Sequence, residues 1–374
     1  MRITVISRYW PSCEHSGLSL AAAHHVNMLT ASGYNVSIIG SNKSIVEEKI
    51  FVDSKYFVSA KGSGALYSIP YVDESALTNA IKSSSPDLVM VEAWQTSLTE
   101  KSIDIAFELG IPVVMISHGI SIHPYSSSFR DLFRSLGWVY YRFFVLPKKI
   151  KKLTAITALD QNSLSSRFYD RDLALKLGVP VFKLVNSPVN WTTKRKTRSE
   201  RLSQILLIGY FSPIKNQLAA IELLKMLPED ISLKFVGSKK GIYYERCLKK
   251  VEELALNLRV CFCDDSECDL AEQMSLSLAV LSTSITEVLP ICLIEAMACG
   301  TPFVAPSVGA IPSLNAGLIA NDNISRRDAI FRLADNNDLW MSLSEAGIDQ
   351  FESRYSEKQV FEDIQRVVEM SISK

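Results

Sequence analysis

Two glutamates, Glu287 and Glu295, stand eight residues apart in the stretch EVLPICLIEAMACGTP. Pro290 suits the first turn of a helix, where a missing N–H costs nothing, and Gly300 and Pro302 supply a stop. The spacing therefore predicts a helix over 290–299, with Glu287 in the loop ahead of it and Glu295 inside it. Ile291, Leu293, Ile294, Met297 and Ala298 cover most of that helix with apolar surface, so it should be largely buried. A carboxylate in such surroundings is costly without polar partners, and a ligand carrying hydroxyls would supply one to Glu295. The helix start, around Leu289, Pro290 and Ile291, offers backbone N–H groups and a positive dipole end, a good seat for phosphate.

Other chemistry-bearing residues are scattered. Lys215 lies in GYFSPIKNQ, directly after an apolar run. His118 ends the run VVMIS, where a side chain at the carboxyl end of a parallel strand points to the ligand-binding edge of the sheet. Ser16 and Gly17 close the loop PSCEHSG after the first apolar run. His24 and His25 sit in an alanine-rich helical stretch without a third ligand nearby and are expected to be partly solvated. CFCDDSEC (261–268) places Cys261 and Cys263 on one face of a strand and contains no Cys-x-x-Cys, so no metal is expected. The nucleophile-elbow, Walker and dinucleotide glycine signatures are all missing, which removes hydrolase, NTPase and ordinary dehydrogenase readings.

These residues need a frame. A chain of 374 residues suggests two domains. Short apolar strands alternate with helical patterns: strands at 3–7, 35–40, 87–92 and 111–119, with helices at 19–33 and about 98–109. After a polar, basic stretch at 190–203 the pattern restarts, with strands at 204–211, 231–238, 259–263, 278–284 and 302–307. The expected organisation is an N-terminal Rossmann-like domain over 1–189, an exposed linker at 190–203, a second Rossmann-like domain over 204–350, and a C-terminal helical stretch over 351–374 packing back towards the first domain. Each is an α/β, doubly wound parallel-sheet unit, and ligands bind such sheets at the carboxyl ends of their strands. Zero formal net charge argues against nucleic acid as a partner. Seven scattered cysteines fit a reducing compartment better than a disulfide framework. The N-terminal apolar run is too short for a signal peptide and no stretch approaches ~20 apolar residues, so the expected location is cytoplasmic, with the inner membrane face as the alternative.

The stretch Glu287 to Pro302, followed by FVAPSVGAIP, resembles the donor-binding segment of retaining GT-B glycosyltransferases of family four, whose mark is Glu, seven residues, Glu, then Ala-Met-Ala-x-Gly-x-Pro. The likeness is sharp over 280–312 and looser along the whole chain. It implies two Rossmann-like domains facing a central cleft, a nucleotide-sugar donor, a saccharide or lipid-linked acceptor, and no metal or other cofactor. It also implies roles. Glu287 faces the donor sugar, Glu295 holds the ribose hydroxyls, and the helix start receives the phosphates. Lys215 matches the family's diphosphate lysine, while Tyr210 stands where an arginine is usual, and a phenol cannot grip phosphate in two places as a guanidinium does. His118 matches a histidine that contacts the sugar, and Ser16-Gly17 matches a glycine-rich loop near phosphate and acceptor. Two other readings stay open: a nucleotide-sugar epimerase of the same architecture, and a sugar-nucleotide-binding partner protein without turnover, for which Tyr210 is the direct support.

One stretch lies outside these motifs. In 129–152, FRDLFRSLGWVYYRFFVLPKKIKK, aromatic and aliphatic residues recur at helical spacing among basic ones. Such a segment lies in an anionic membrane interface or packs as a helix on its own sheet, and the pattern allows both.

Overall fold

The computed structural model describes residues 1–12, 17–41, 45, 50–62, 70–120, 136–188 and 194–372. The chain forms two compact units, one of Met1–Val189 with Glu357–Lys374, the other of Asn190–Ser356.

The first unit is built on a seven-stranded parallel sheet. Its order is Ser54–Phe57, Asn35–Gly40, Arg2–Ile6, Leu88–Glu92, Val113–Ile116, Ala155–Ala158 and Val181–Lys183. Every residue of Leu88–Glu92 and of Val113–Ile116 is buried, which is why these strands read as unbroken apolar runs: helices cover both faces. The register sets Val5 beside Ile38 and Met90. The chain returns at its end through helix Glu357–Ile372, which contacts helix Gly17–Ala31. Val360, Ile364, Val367 and Val368 form its buried stripe, and Lys183 lies 3.5 Å from Asp363.

The second unit has a six-stranded parallel sheet in the order Val260–Cys263, Ser232–Val236, Leu202–Ile208, Ser277–Leu281, Phe303–Ala305 and Gly317–Ile319. Counting strands within each sheet along the chain, the orders are 3-2-1-4-5-6-7 and 3-2-1-4-5-6. Both reverse between strands 1 and 4, the Rossmann arrangement, and the crevice at the carboxyl ends of those strands is where such sheets take ligands.

Three boundaries differ from the sequence expectation. The stretch 190–203, expected as an exposed linker, belongs to the second unit from residue 194 onward. Arg195 donates to the Ala298 carbonyl at 3.2 Å and pairs with Glu352 at 2.8 Å, and Arg201, directly before strand Leu202–Ile208, is buried. The second unit continues past 350 because one helix, Asn337–Arg354, runs through that position. The C-terminal stretch accordingly returns to the first unit at 357 rather than 351, its helix running over Glu357–Ile372.

Candidate functional site

In the second unit the switch-point loops carry the candidate residues. After strand Leu202–Ile208 comes Gly209 at φ +141°, a conformation open to glycine. Gly237, after the neighbouring strand, abuts it: a Cβ there would fall on the Gly209 carbonyl oxygen. The loop that follows is stapled from within. The buried Gln217 amide donates to the Tyr210 carbonyl at 3.0 Å and accepts from the Ser212 N–H at 3.3 Å. It is also tied to the loop after strand Ser277–Leu281. Thr283 Oγ1 donates to the carbonyls of Lys215 and Asn216, each at 2.9 Å, and the Ile285 N–H donates to the Ile214 carbonyl at 2.8 Å. Two segments 70 residues apart in sequence are thereby fixed against each other.

The result is a contact between two residues singled out by sequence. Lys215 Nζ donates to Glu287 Oε1 at 2.6 Å. Burial works to lower the lysine's pKa, the adjacent Glu287 carboxylate more than offsets it, and the net shift is upward, so the ammonium stays charged across the neutral range. Gly309 braces this loop at φ +58°. A Cβ at that position would overlap the carbonyl oxygens of Glu287 and Val288, and the next N–H, of Ala310, donates to the Val288 carbonyl at 2.7 Å.

The helix that follows is Ile291–Ala298, with Pro290 as its N-cap rather than its first residue and no side chain capping it. The Leu293 N–H already donates to the Pro290 carbonyl at 3.1 Å, so the N–H groups ahead of it are the ones on offer to whatever the site binds. Leu289 and Pro290 are buried and Ile291 half-buried. Glu295 sits one turn into the helix, half-buried, and among the described residues it has no hydrogen-bond partner. Burial alone pushes its pKa up to about 7. Cys292 lies between the groups: burial raises its thiol to about 12, while Lys215 lowers it and Glu287 and Glu295 raise it. All three charged candidates therefore act on one point.

The far end of this helix is held by a residue that sequence reasoning missed. Arg201 donates to the carbonyls of Cys299 (3.0 Å), Gly300 (3.2 Å), Met274 and Ser277 (each 3.1 Å), and to Thr301 Oγ1 at 2.7 Å. Its guanidinium also stacks 4.6 Å from the Trp340 ring. A cation at the helix C-terminus complements the dipole and ties that end of the helix to the neighbouring segments at Met274 and Ser277. Only its place in a basic run could have flagged it.

The first unit holds His118. It follows strand Val113–Ile116, and its Nε2 lies 2.8 Å from Glu92 Oε2. Its neighbour Ser117 donates to Asp170, a buried carboxylate that also accepts from Trp94 Nε1 at 2.7 Å. The strand end is thus gripped on both sides. His24 and His25, expected to be partly solvated, are instead buried, and His25 Nδ1 lies 2.9 Å from Glu92 Oε1. The alanines around them gave no face to read, and Glu92 is far away in sequence. Gly17 opens helix Gly17–Ala31 and is exposed. Ser16 lies outside the described residues. Among those residues no group of three His, Cys, Asp or Glu side chains could hold a metal.

The segment 136–152 resolves into two faces, residues 129–135 lying outside the described residues. Trp138, Tyr141, Leu146 and Ile150 are buried, while Leu136, Val139, Tyr140, Phe143 and Phe144 are 51–62 % exposed. A π-helical turn, Tyr141–Val145, interrupts the helix. The Tyr141 hydroxyl donates to Glu100 at 2.6 Å, and Lys149 and Lys152 pair with Asp104 at 2.6 and 2.7 Å. Among the described residues no helix is long and apolar enough to cross a membrane.

Residues 189–321, lying almost wholly in the second unit, match the family model described as Glycosyl transferases group 1. No curated protein sequence matches the chain. Solved structures align over nearly its whole length. Sucrose-phosphate synthase from Thermosynechococcus elongatus superposes with a TM-score of 0.71 at 16 % identity, covering 100 % of this chain and 99 % of its own. A glycosyltransferase from Rickettsia africae gives 0.71 at 16 %, covering 100 % and 98 %. Anabaena HepE in complex with UDP and glucose gives 0.70 at 16 %, covering 99 % of both. At such identities the likeness is one of fold, and that fold is GT-B, with two Rossmann-like domains. With the group 1 match carried on it, the chain is a glycosyltransferase.

Proposed function

We propose that the chain is a retaining, family-four glycosyltransferase that moves a sugar from a nucleotide-sugar donor to a saccharide or lipid-linked hydroxyl, in the building of bacterial surface polysaccharide or glycolipid. One observation carries the reading. The Lys215–Glu287 contact sits at the start of an uncapped helix whose Glu295 is half-buried, without a hydrogen-bond partner among the described residues, and raised to about 7. A ribose diol supplies Glu295 with donors, the helix N–H groups and Lys215 take the diphosphate, and Glu287 takes the sugar. As the anomeric C–O bond breaks, its electron pair goes to the diphosphate, and the ammonium and helix dipole stabilise that growing charge. The acceptor oxygen bonds to the anomeric carbon and its proton leaves with the phosphate. No metal or other cofactor enters this scheme.

The exposed face of Leu136, Val139, Tyr140, Phe143 and Phe144, with Lys148 and Lys151 exposed beside it, supports a peripheral contact with an anionic membrane, by aromatic insertion and cationic attraction together. A lipid-linked acceptor would be reached there. The cytoplasmic side is the location this reading requires.

The test is a thermal-shift panel of nucleoside diphosphates and their sugars, UDP and UDP-glucose first, since a ligand that binds only the folded state raises apparent stability by mass action. Lys215→Ala then separates an enzyme from a binder. In an enzyme turnover falls more than nucleotide affinity does, because the charge matters most in the transition state. No stabilisation by any nucleotide would remove the proposal. Product sugar with inverted ring chemistry would point to the epimerase instead.

A further inference from the structure

Strand Leu88–Glu92 is apolar until its last residue, a glutamate of zero exposure at the switch point of the first sheet. Both of its oxygens are used. Oε1 meets His25 Nδ1 at 2.9 Å and Oε2 meets His118 Nε2 at 2.8 Å, with the two imidazole rings stacked 6.2 Å apart. Burial pushes Glu92 towards its neutral form, the two imidazoles pull harder the other way, and the group settles at about 2. The backbone immediately after it is strained. Ala93 and Gln95 take φ +65° and +66°, a left-handed conformation that a non-glycine residue adopts only at a cost. Hydrogen bonds from the Ala93 N–H to Ile116 O (3.0 Å) and from Thr99 Oγ1 to Ala93 O (2.9 Å) hold that turn. His25 is buried with its other nitrogen, Nε2, unpartnered among the described residues, an expense that leucine would avoid.

An ionised carboxylate only accepts, so each imidazole must turn an N–H towards it. In neutral His118 the hydrogen is then on Nε2, and Nδ1 keeps a lone pair. We propose that Glu92, backed by His25, is the positioning residue that fixes the ring and tautomer of His118, so that Nδ1 is left as an acceptor for a ligand hydroxyl at the switch point of the first sheet. The identity of that ligand rests on the function proposed above. The assignment of the tautomer does not.

The experiment is 15N NMR of histidine-labelled protein at pH 8, in wild type and in Glu92→Gln. A glutamine amide donates on one side, which forces one imidazole to offer its lone pair. The expected result is His118 with its hydrogen on Nε2 in wild type and a shifted tautomer population in the variant. In parallel, kcat with the donor that wild type uses should fall tenfold or more, while the dissociation constant for the matching nucleoside diphosphate stays within twofold. A wild-type His118 carrying its hydrogen on Nδ1 overturns the proposal, whether or not the variant folds. So does a Glu92→Gln protein with unchanged tautomer and unchanged kcat. If no nucleotide-sugar is turned over by wild type, the proposed function fails, and the tautomer measurement still decides the role of Glu92.

Discussion

Glu295 works against the protein that carries it. Its folded pKa of about 7 exceeds the ordinary carboxylate value, so its favourable contribution is complete below about pH 4.5 and is lost as pH rises through about 7. The ionised group then costs the unliganded fold up to about 3 kcal/mol. Glu295→Gln should therefore raise the melting temperature at pH 8 and leave it unchanged near pH 4.5, while weakening nucleotide binding by ~1.5–3 kcal/mol through loss of a charged acceptor. Wild-type nucleotide affinity should itself fall as pH drops through about 7, and the glutamine variant should lack that dependence. Melting curves and titration calorimetry at the two pH values check both signs. A variant destabilised at pH 8 would mean that the carboxylate has a protein partner.

At the scale of elements, the loop bearing Glu287 depends on a glycine from another loop. Gly309→Ala must both adopt φ +58° and clear the Glu287 carbonyl, so it should push the Glu287 loop away from Lys215. Turnover is expected to fall at least tenfold, together with stability, and a fully active Gly309→Ala would show that this brace is dispensable. The aromatic helix makes the opposite kind of prediction. Phe143 and Phe144 are more than half exposed, while Trp138, Tyr141, Leu146 and Ile150 of the same segment pack into the core of the first unit, so the helix is a packed element with one free aromatic face. Phe143→Asp with Phe144→Asp should leave the melting curve unchanged and abolish co-sedimentation with anionic vesicles at low salt, and wild type that ignores such vesicles ends the membrane reading. These elements also mark what the sequence could show. Strands buried on both faces, such as Leu88–Glu92 and Ser277–Leu281, announce themselves as apolar runs. Gly317–Ile319 is three residues long and carries no such signal. Glu287, Glu295 and Lys215 could be singled out because the motifs around them are local in sequence, and the fold brings Lys215 and Glu287 into contact. Arg201 and the Glu92–His25 pair were not, because their meaning lies in partners dozens of residues away, and a buried arginine bonded to carbonyls looks in sequence like any arginine in a basic run.

For the molecule as a whole, the same six-strand winding occurs twice and the two units carry different chemistry at the same topological point. The first has a carboxylate between two imidazoles, the second a lysine against a glutamate. Only the first unit is completed by a distant piece of chain. Deleting 357–374 should raise amide exchange in Arg2–Ile6 and Asn35–Gly40 while leaving Ser277–Leu281 protected, as read by hydrogen-exchange mass spectrometry. Equal protection in both proteins would mean that helix Glu357–Ile372 adds nothing to the first unit. That helix also sets a timetable. On the ribosome the first unit emerges early yet lacks its last helix until the second unit has been made, a delay on the order of ten seconds or more at usual elongation rates. During it the part of helix Gly17–Ala31 that meets helix Glu357–Ile372 is uncovered, so this nascent chain should show apolar surface to chaperones for that interval, and the second unit, contiguous in sequence, is free to fold before the first is finished.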